Sequence, residues 1–143
     1  HNTHNLPDSV NQLVWSNKAK HYDVFTFYRG MIALRKNHPA FRMTSQEMIR
    51  KHLHFLDIQH DLVLGFVLSD HANGDTWKNI VIYYNPSAEK VRVTVPEGKY
   101  RAVANKFGIN EKGLKIPSYD TIIENEAFLP ARSILILADA ASI

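Results

Sequence analysis

The sequence predicts a mainly β protein, an antiparallel β-sandwich preceded by a loop and one amphipathic helix. Three observations carry that expectation. Residues 22–37 place apolar side chains at helical spacing and stop against Pro39. From His52 onward, short runs rich in β-branched and aromatic residues recur between turn signals at the interval of a sandwich. No helical stretch separates those runs, so parallel pairing has no crossover to use.

The opening stretch, HNTHNLPDSVNQLVWSN at 1–17, holds no steady period and reads as a loop. The helix follows. At about 3.6 residues per turn, Leu34, Phe27, Met31, Val24, Tyr28, Ile32 and Phe25 share one side, while Thr26, Arg29, Ala33, Lys36 and Asn37 take the other. That apolar side covers roughly half the circumference, against a stripe of about 100° on a typical surface helix. The helix is therefore expected to need neighbours on two sides. Asp23 in its first turn and Lys36 and His38 at its end suit the macrodipole, and Pro39 keeps His38 out of helical conformation. Gly30 costs a helix about 1 kcal/mol against alanine and asks for a reason, such as close approach of another backbone. The stem of Arg35 is expected to lie on the apolar face with its head reaching solvent or a carboxylate.

Thr44 and Glu47 have the spacing of a capping box, which predicts a short connecting helix to about Lys51. Residues 62–68 and 80–84 are near-continuous apolar runs, expected of central strands buried on both faces. Val91, Val93 and Val95 alternate with Arg92 and Thr94, and the turn through Pro96 and Gly98 predicts a hairpin with 99–104. Residues 106–112 read as a loop, and 114–116, 121–123, 127–129 and 133–137 as further short strands, roughly eight in all.

At 143 residues, 45% hydrophobic and 22% charged, the composition is that of a globular domain, too short for a complete barrel enzyme of about 250 residues. A net charge of +3 scattered among acids marks no nucleic-acid surface. There is no cysteine, hence no disulfide framework or thiolate chemistry, and no apolar run approaches the ~18 residues of a membrane span.

The chain offers no catalytic constellation of its own. Asp8, Asp23, Asp57, Asp61, Asp70, Asp75, Glu97 and Asp120 fall in predicted loops or a helix start, where acids solvate and cap, and no pair is singled out by spacing. The motifs of serine hydrolases, zinc proteases and phosphate-binding loops are missing, and no cofactor is expected. His1 with His4, or His52 and His54 with His60 and His71, could be imagined around a metal, but solvated edge histidines are the simpler reading. Asp70 to Asp75 holds clustered oxygen ligands without the order of a calcium loop, so a turn through Asn73-Gly74 is expected.

Three stretches carry a family resemblance. Pro7-Asp8-Ser9-Val10-Asn11-Gln12 with Trp15 and Ser16 is similar to the N-x-P-D-x-V-N-x-x-D-W loop after the eighth barrel strand of pullulanase-type glycoside hydrolases in the α-amylase superfamily, departing from it at His4, Leu6 and Val14. Tyr28, Gly30, Ile32 to Lys36 and His38 to Arg42 resemble the eighth barrel helix and its exit. Ser69 to Asp75, Trp77-Lys78 and Ile80 to Asn85 look like the C-terminal β-sandwich of the same enzymes. The resemblance implies that 1–43 is the end of a (β/α)8 barrel and 44–143 an α-amylase-type C-terminal domain. It implies a retaining enzyme that cleaves α-1,6-glucosidic linkages in pullulan, amylopectin and related α-glucans, with its carboxylates upstream of this chain. Asn5 and Asp8 are the positions expected to reach substrate. The sandwich is expected to be structural and the chain inactive alone, its helix folding back on the sandwich or pairing in a dimer. Localisation is left open. The competing reading is a freestanding carbohydrate-binding module, for which Trp77 and Tyr83 or Tyr84 would have to form an exposed platform.

Overall fold

The computed structural model describes residues 3–115 and 122–143. Its N-terminal stretch is not a plain loop: α1 (Asp8–Asn11) and α2 (Ser16–Lys20) are single helical turns. Neither buries a residue, so neither imposes an apolar period that the sequence could display. The principal helix, α3, spans Tyr22–Asn37 as the periodicity predicts. It ends where expected, with His38 extended before Pro39 and a 3-10 turn over Pro39–Arg42. Arg35 is exposed, as expected of a head that reaches solvent, and its guanidinium also donates to the Phe41 carbonyl. Arg42 reaches back to the helix end, donating to the carbonyls of Arg35 (2.9 Å) and Lys36 (3.0 Å). The two arginines thus satisfy carbonyls that the helix exit leaves without partners.

The connecting helix, α4, spans Gln46–His52. Its cap is Ser45, whose hydroxyl accepts from the Met48 amide at 3.1 Å. Thr44 and Glu47 form no capping box, because the helix starts one residue later than their spacing implies.

Eight strands follow among the described residues: β1 (Leu53–Phe55), β2 (Leu64–Leu68), β3 (Ile80–Asn85), β4 (Val91–Thr94), β5 (Tyr100–Asn105), β6 (Gly108–Ile109), β7 (Glu126–Leu129) and β8 (Ser133–Asp139). All pairings are antiparallel. Six strands form a large sheet in the order β1-β2-β3-β8-β5-β6, and β4 with β7 forms a second. The expected hairpin of β4 and β5 does not form: β4 pairs with β7, and β5 with β8 and β6. Alternation fixes which face of a strand is buried, and both strands bury that face, but the choice of partner is a long-range one. The β5–β6 hairpin lies in the stretch read as a loop. Asn105 Oδ1 accepts from the Phe107 amide at 2.8 Å and tightens its turn. Residues 116 and 121, with part of two expected strands, lie outside the described residues, as does Asp120. Leu114 is not in a strand, and Ile123 makes only an isolated bridge to Tyr100.

The large sheet is covered on both faces. Val81, Tyr83, Leu135 and Leu137 point to the small sheet and pack with Val91, Val93, Ala127 and Leu129. The Tyr83 hydroxyl crosses this layer to the Thr94 carbonyl at 2.8 Å. On the opposite face, Leu68, Ile80, Ile82, Ile136 and Ala138 pack under Leu34, Ala40, Ala72 and Trp77, with Met31, Phe41 and Met43 at the margin. The helix exit is therefore part of the sandwich core. Gly30 permits this approach: a Cβ there would lie 2.9 Å from Ile109 Cδ1, so a side chain on β6, and not another backbone, explains the glycine.

Candidate functional site

Two of the resembling stretches meet at the helix exit. Asp75 is 3% exposed. Its carboxylate accepts from His38 Nδ1 at 2.9 Å, the Ala40 amide at 3.0 Å and the Trp77 amide at 2.9 Å. A carboxylate can only accept, so Nδ1 carries the imidazole proton. The His38 ring stacks on Trp77 with centroids 3.5 Å apart and planes 22° from parallel. Its Nε2 faces Glu111 Oε2 at 3.7 Å, and Asn37 donates to both oxygens of Glu111 at 2.9 and 3.2 Å. Burial pushes the Asp75 carboxyl upward, but the hydrogen bonds from His38, Trp77 and Ala40 outweigh it and hold the group below its ordinary value.

The loop that carries Asp75 is bent to reach this point. Asp70, His71, Asn73 and Gly74 all have positive φ, in the left-handed region that asparagine, aspartate and glycine tolerate best. His71 Nδ1 donates to the Asp75 carbonyl at 2.9 Å, and Asn73 Nδ2 donates to the carbonyls of Pro39 (2.9 Å) and Arg42 (3.3 Å). The turn expected through Asn73-Gly74 is present, and its polar side chains serve as a clamp on the helix exit.

Other candidates are not brought together. His52 Nδ1 donates to the Ser69 carbonyl and His60 Nδ1 accepts from the Leu62 amide. Among the described residues, no group of three or more histidine, aspartate or glutamate side chains could hold a metal ion; His1 lies outside them. Trp77 and Tyr83 are 4% and 0% exposed, which removes two of the three rings a freestanding binding module would need, and leaves Tyr84. Asn5 and Asp8 are exposed on the N-terminal turns, and their side chains form no hydrogen bond among the described residues. Nearby, Asn11 donates to the carbonyls of Thr3 and Leu6 and holds that turn together.

The remaining feature is an uncovered apolar stripe. α3 rests on the sandwich through Gly30, Met31 and Leu34, and leaves Val24, Tyr28 and Ile32, spaced by four, exposed with Tyr22. Leu13, Val14 and Trp15, the last 77% exposed, are further apolar side chains without cover. The wide apolar arc of the sequence is thus half used, since the helix has a neighbour on one side.

A two-layer antiparallel sandwich with one helix clamped across its large sheet is a mainly β domain. The chain belongs to the pullulanase family of glycoside hydrolases. Residues 49–107 match the family model described as the pullulanase all-beta domain. The pullulanase of Bacillus subtilis (strain 168) is 32% identical over 116 residues, which are 80% of this chain and 16% of that protein. Among solved structures, pullulanase from Bacillus acidopullulyticus superposes with a TM-score of 0.87 at 40% identity, covering 96% of this chain and 16% of that one. The pullulanase of Anoxybacillus sp. LM18-11 complexed with maltotetraose gives 0.80 at 26% identity, over 97% of this chain and 18% of the other. The chain therefore spans about a sixth of the length of the relatives it matches.

Proposed function

We propose that this chain works within a longer pullulanase-like debranching enzyme that hydrolyses α-1,6-glucosidic linkages in pullulan, amylopectin and related α-glucans, and that its own role is structural. In this reading residues 1–43 complete the catalytic barrel and 44–143 form the sandwich that braces it. The observation that carries the proposal is the two-sided use of α3. Its Leu34 side is sealed into the sandwich by the Asp75 clamp, while Val24, Tyr28 and Ile32 present a second apolar side of the kind a barrel layer buries. The nucleophile and acid/base lie outside this chain. Asn5 and Asp8, exposed on a turn at the barrel end, are proposed to hydrogen-bond sugar hydroxyls beside the cleavage point.

The test is release of maltotriose from pullulan. The purified 143-residue chain is expected to release none, and release by it would refute the structural role. In the longer enzyme, Asp8→Ala is expected to raise KM for pullulan several-fold with the fold intact. An unchanged KM would remove Asp8 from the substrate site.

A further inference from the structure

Between the N-terminal half of α3 and one end of the large sheet lies an open groove of about 1270 Å³, more than the roughly 300–1,000 Å³ of ordinary ligand sites. We propose that this groove binds a short α-1,4-linked maltooligosaccharide, as a non-catalytic subsite that holds α-glucan to the protein. The choice of α-glucan rests on the function proposed above.

The groove has the chemistry that a pyranose needs. Tyr84 and Phe107 line it with aromatic surface. Tyr84 stands beside Phe66 with centroids 6.4 Å apart and planes 28° from parallel, which fixes its orientation. Phe107, 82% exposed at the tip of the β5–β6 turn, has the Lys106 ammonium 4.9 Å from its ring centroid and is otherwise open to solvent. The C–H face of a sugar ring stacks on such surfaces. Asp23, Arg29, Lys106 and Arg132 share the lining, and none of them forms an ion pair among the described residues. Carboxylate and guanidinium groups are two-pronged and match neighbouring sugar hydroxyls. A purely apolar segment would strand four charged groups, whereas a polyol, whose hydroxyls both donate and accept, can serve the guanidinium groups and the Asp23 carboxylate together. With three cations to one carboxylate in the lining, an anion is the competing ligand that pyrophosphate tests.

The groove also stays accessible in the proposed assembly. At about 100° per residue, Thr26, Gly30 and Ala33, which line it, lie across the helix from Tyr28 and Ile32. The groove shares Val24 with the stripe, so covering the stripe narrows it at that edge and leaves the side formed by Thr26, Gly30 and Ala33 open.

The test is an NMR titration of the 143-residue chain with maltotetraose, with cellotetraose and pyrophosphate as controls. Saturable shifts confined to the groove and obtained with maltotetraose alone are expected. Tyr84→Ala and Phe107→Ala should each weaken binding about tenfold. Phe128→Ala, which removes an exposed ring on the small sheet, should leave it unchanged. Because Phe107 lies outside the core, its variant decides the question even if Tyr84→Ala fails to fold. No saturable shift, shifts elsewhere, equal response to cellotetraose or pyrophosphate, or undiminished binding by Phe107→Ala would overturn the proposal. Pullulan hydrolysis by the longer enzyme without binding here sinks the groove alone, whereas binding here without hydrolysis leaves the groove and sinks the debranching reading.

Discussion

Asp75 shows how much one residue can do that its sequence position does not reveal. By spacing it is one acid among several in a turn, and solvation is the natural reading. Only the fold brings His38, some 37 positions earlier, and the Ala40 amide to its carboxylate. Asp75→Ala would leave a buried imidazole and two amides without an acceptor, so we expect a loss of about 3 kcal/mol in urea unfolding. The clamp also sets a pH dependence. The folded-state value of Asp75 lies below its ordinary 3.8, so the unfolded chain binds the proton more readily. The stabilisation is complete above the unfolded value and is lost as pH falls through the folded one. The urea midpoint of the native protein should therefore drop as pH falls through and below about 4, and Asp75→Asn should flatten that drop. Trp77 misleads in a similar way. A tryptophan beside a polar turn invites a sugar platform, yet its ring is spent on stacking with His38.

Elements are legible to the degree that they bury a face of their own. α3 is readable to the residue because an apolar arc, an acidic start and a proline stop all agree. α1 and α2 bury nothing and leave no period to read. For α4 the helix is legible but its cap is displaced by one, and the two candidates separate cleanly by mutation. Ser45→Ala should cost about 1 kcal/mol, while Thr44→Ala should be near neutral in the same denaturation assay. β4 and β5 are each readable as strands, but their partners are not, since β4 joins β7 in the small sheet while β5 sits between β8 and β6 in the large one. The uncovered stripe of α3 yields a further expectation for the isolated chain. Val24, Tyr28 and Ile32 should drive self-association, seen as a dimer in sedimentation velocity at micromolar concentration. Tyr28→Glu with Ile32→Glu should return it to a monomer without loss of stability, because both side chains are more than half exposed. A native chain that stays monomeric at all concentrations would show that the stripe tolerates water.

At the scale of the whole molecule, the sandwich and the helix exit share one core. The resembling stretches around His38 and Asp75 are in direct contact, which explains why both carry recognisable sequence: a change in either unseats the other. The site proposed for substrate is legible only through the pattern around Pro7 and Asp8, because exposed polar residues on short turns leave no physical trace of what they touch. The groove beside α3 is not legible at all, since Asp23, Tyr84, Phe107 and Arg132 come from separate elements. In the proposed account the molecule is a brace, with one side of α3 sealed into the sandwich and the other left open. The most direct test of that account is maltotriose release from pullulan by the native polypeptide captured with an antibody raised against this chain. The account predicts release, from a polypeptide longer than this one by at least about 250 residues. Capture of a polypeptide of 143 residues, or of a longer one that leaves pullulan intact, would contradict it.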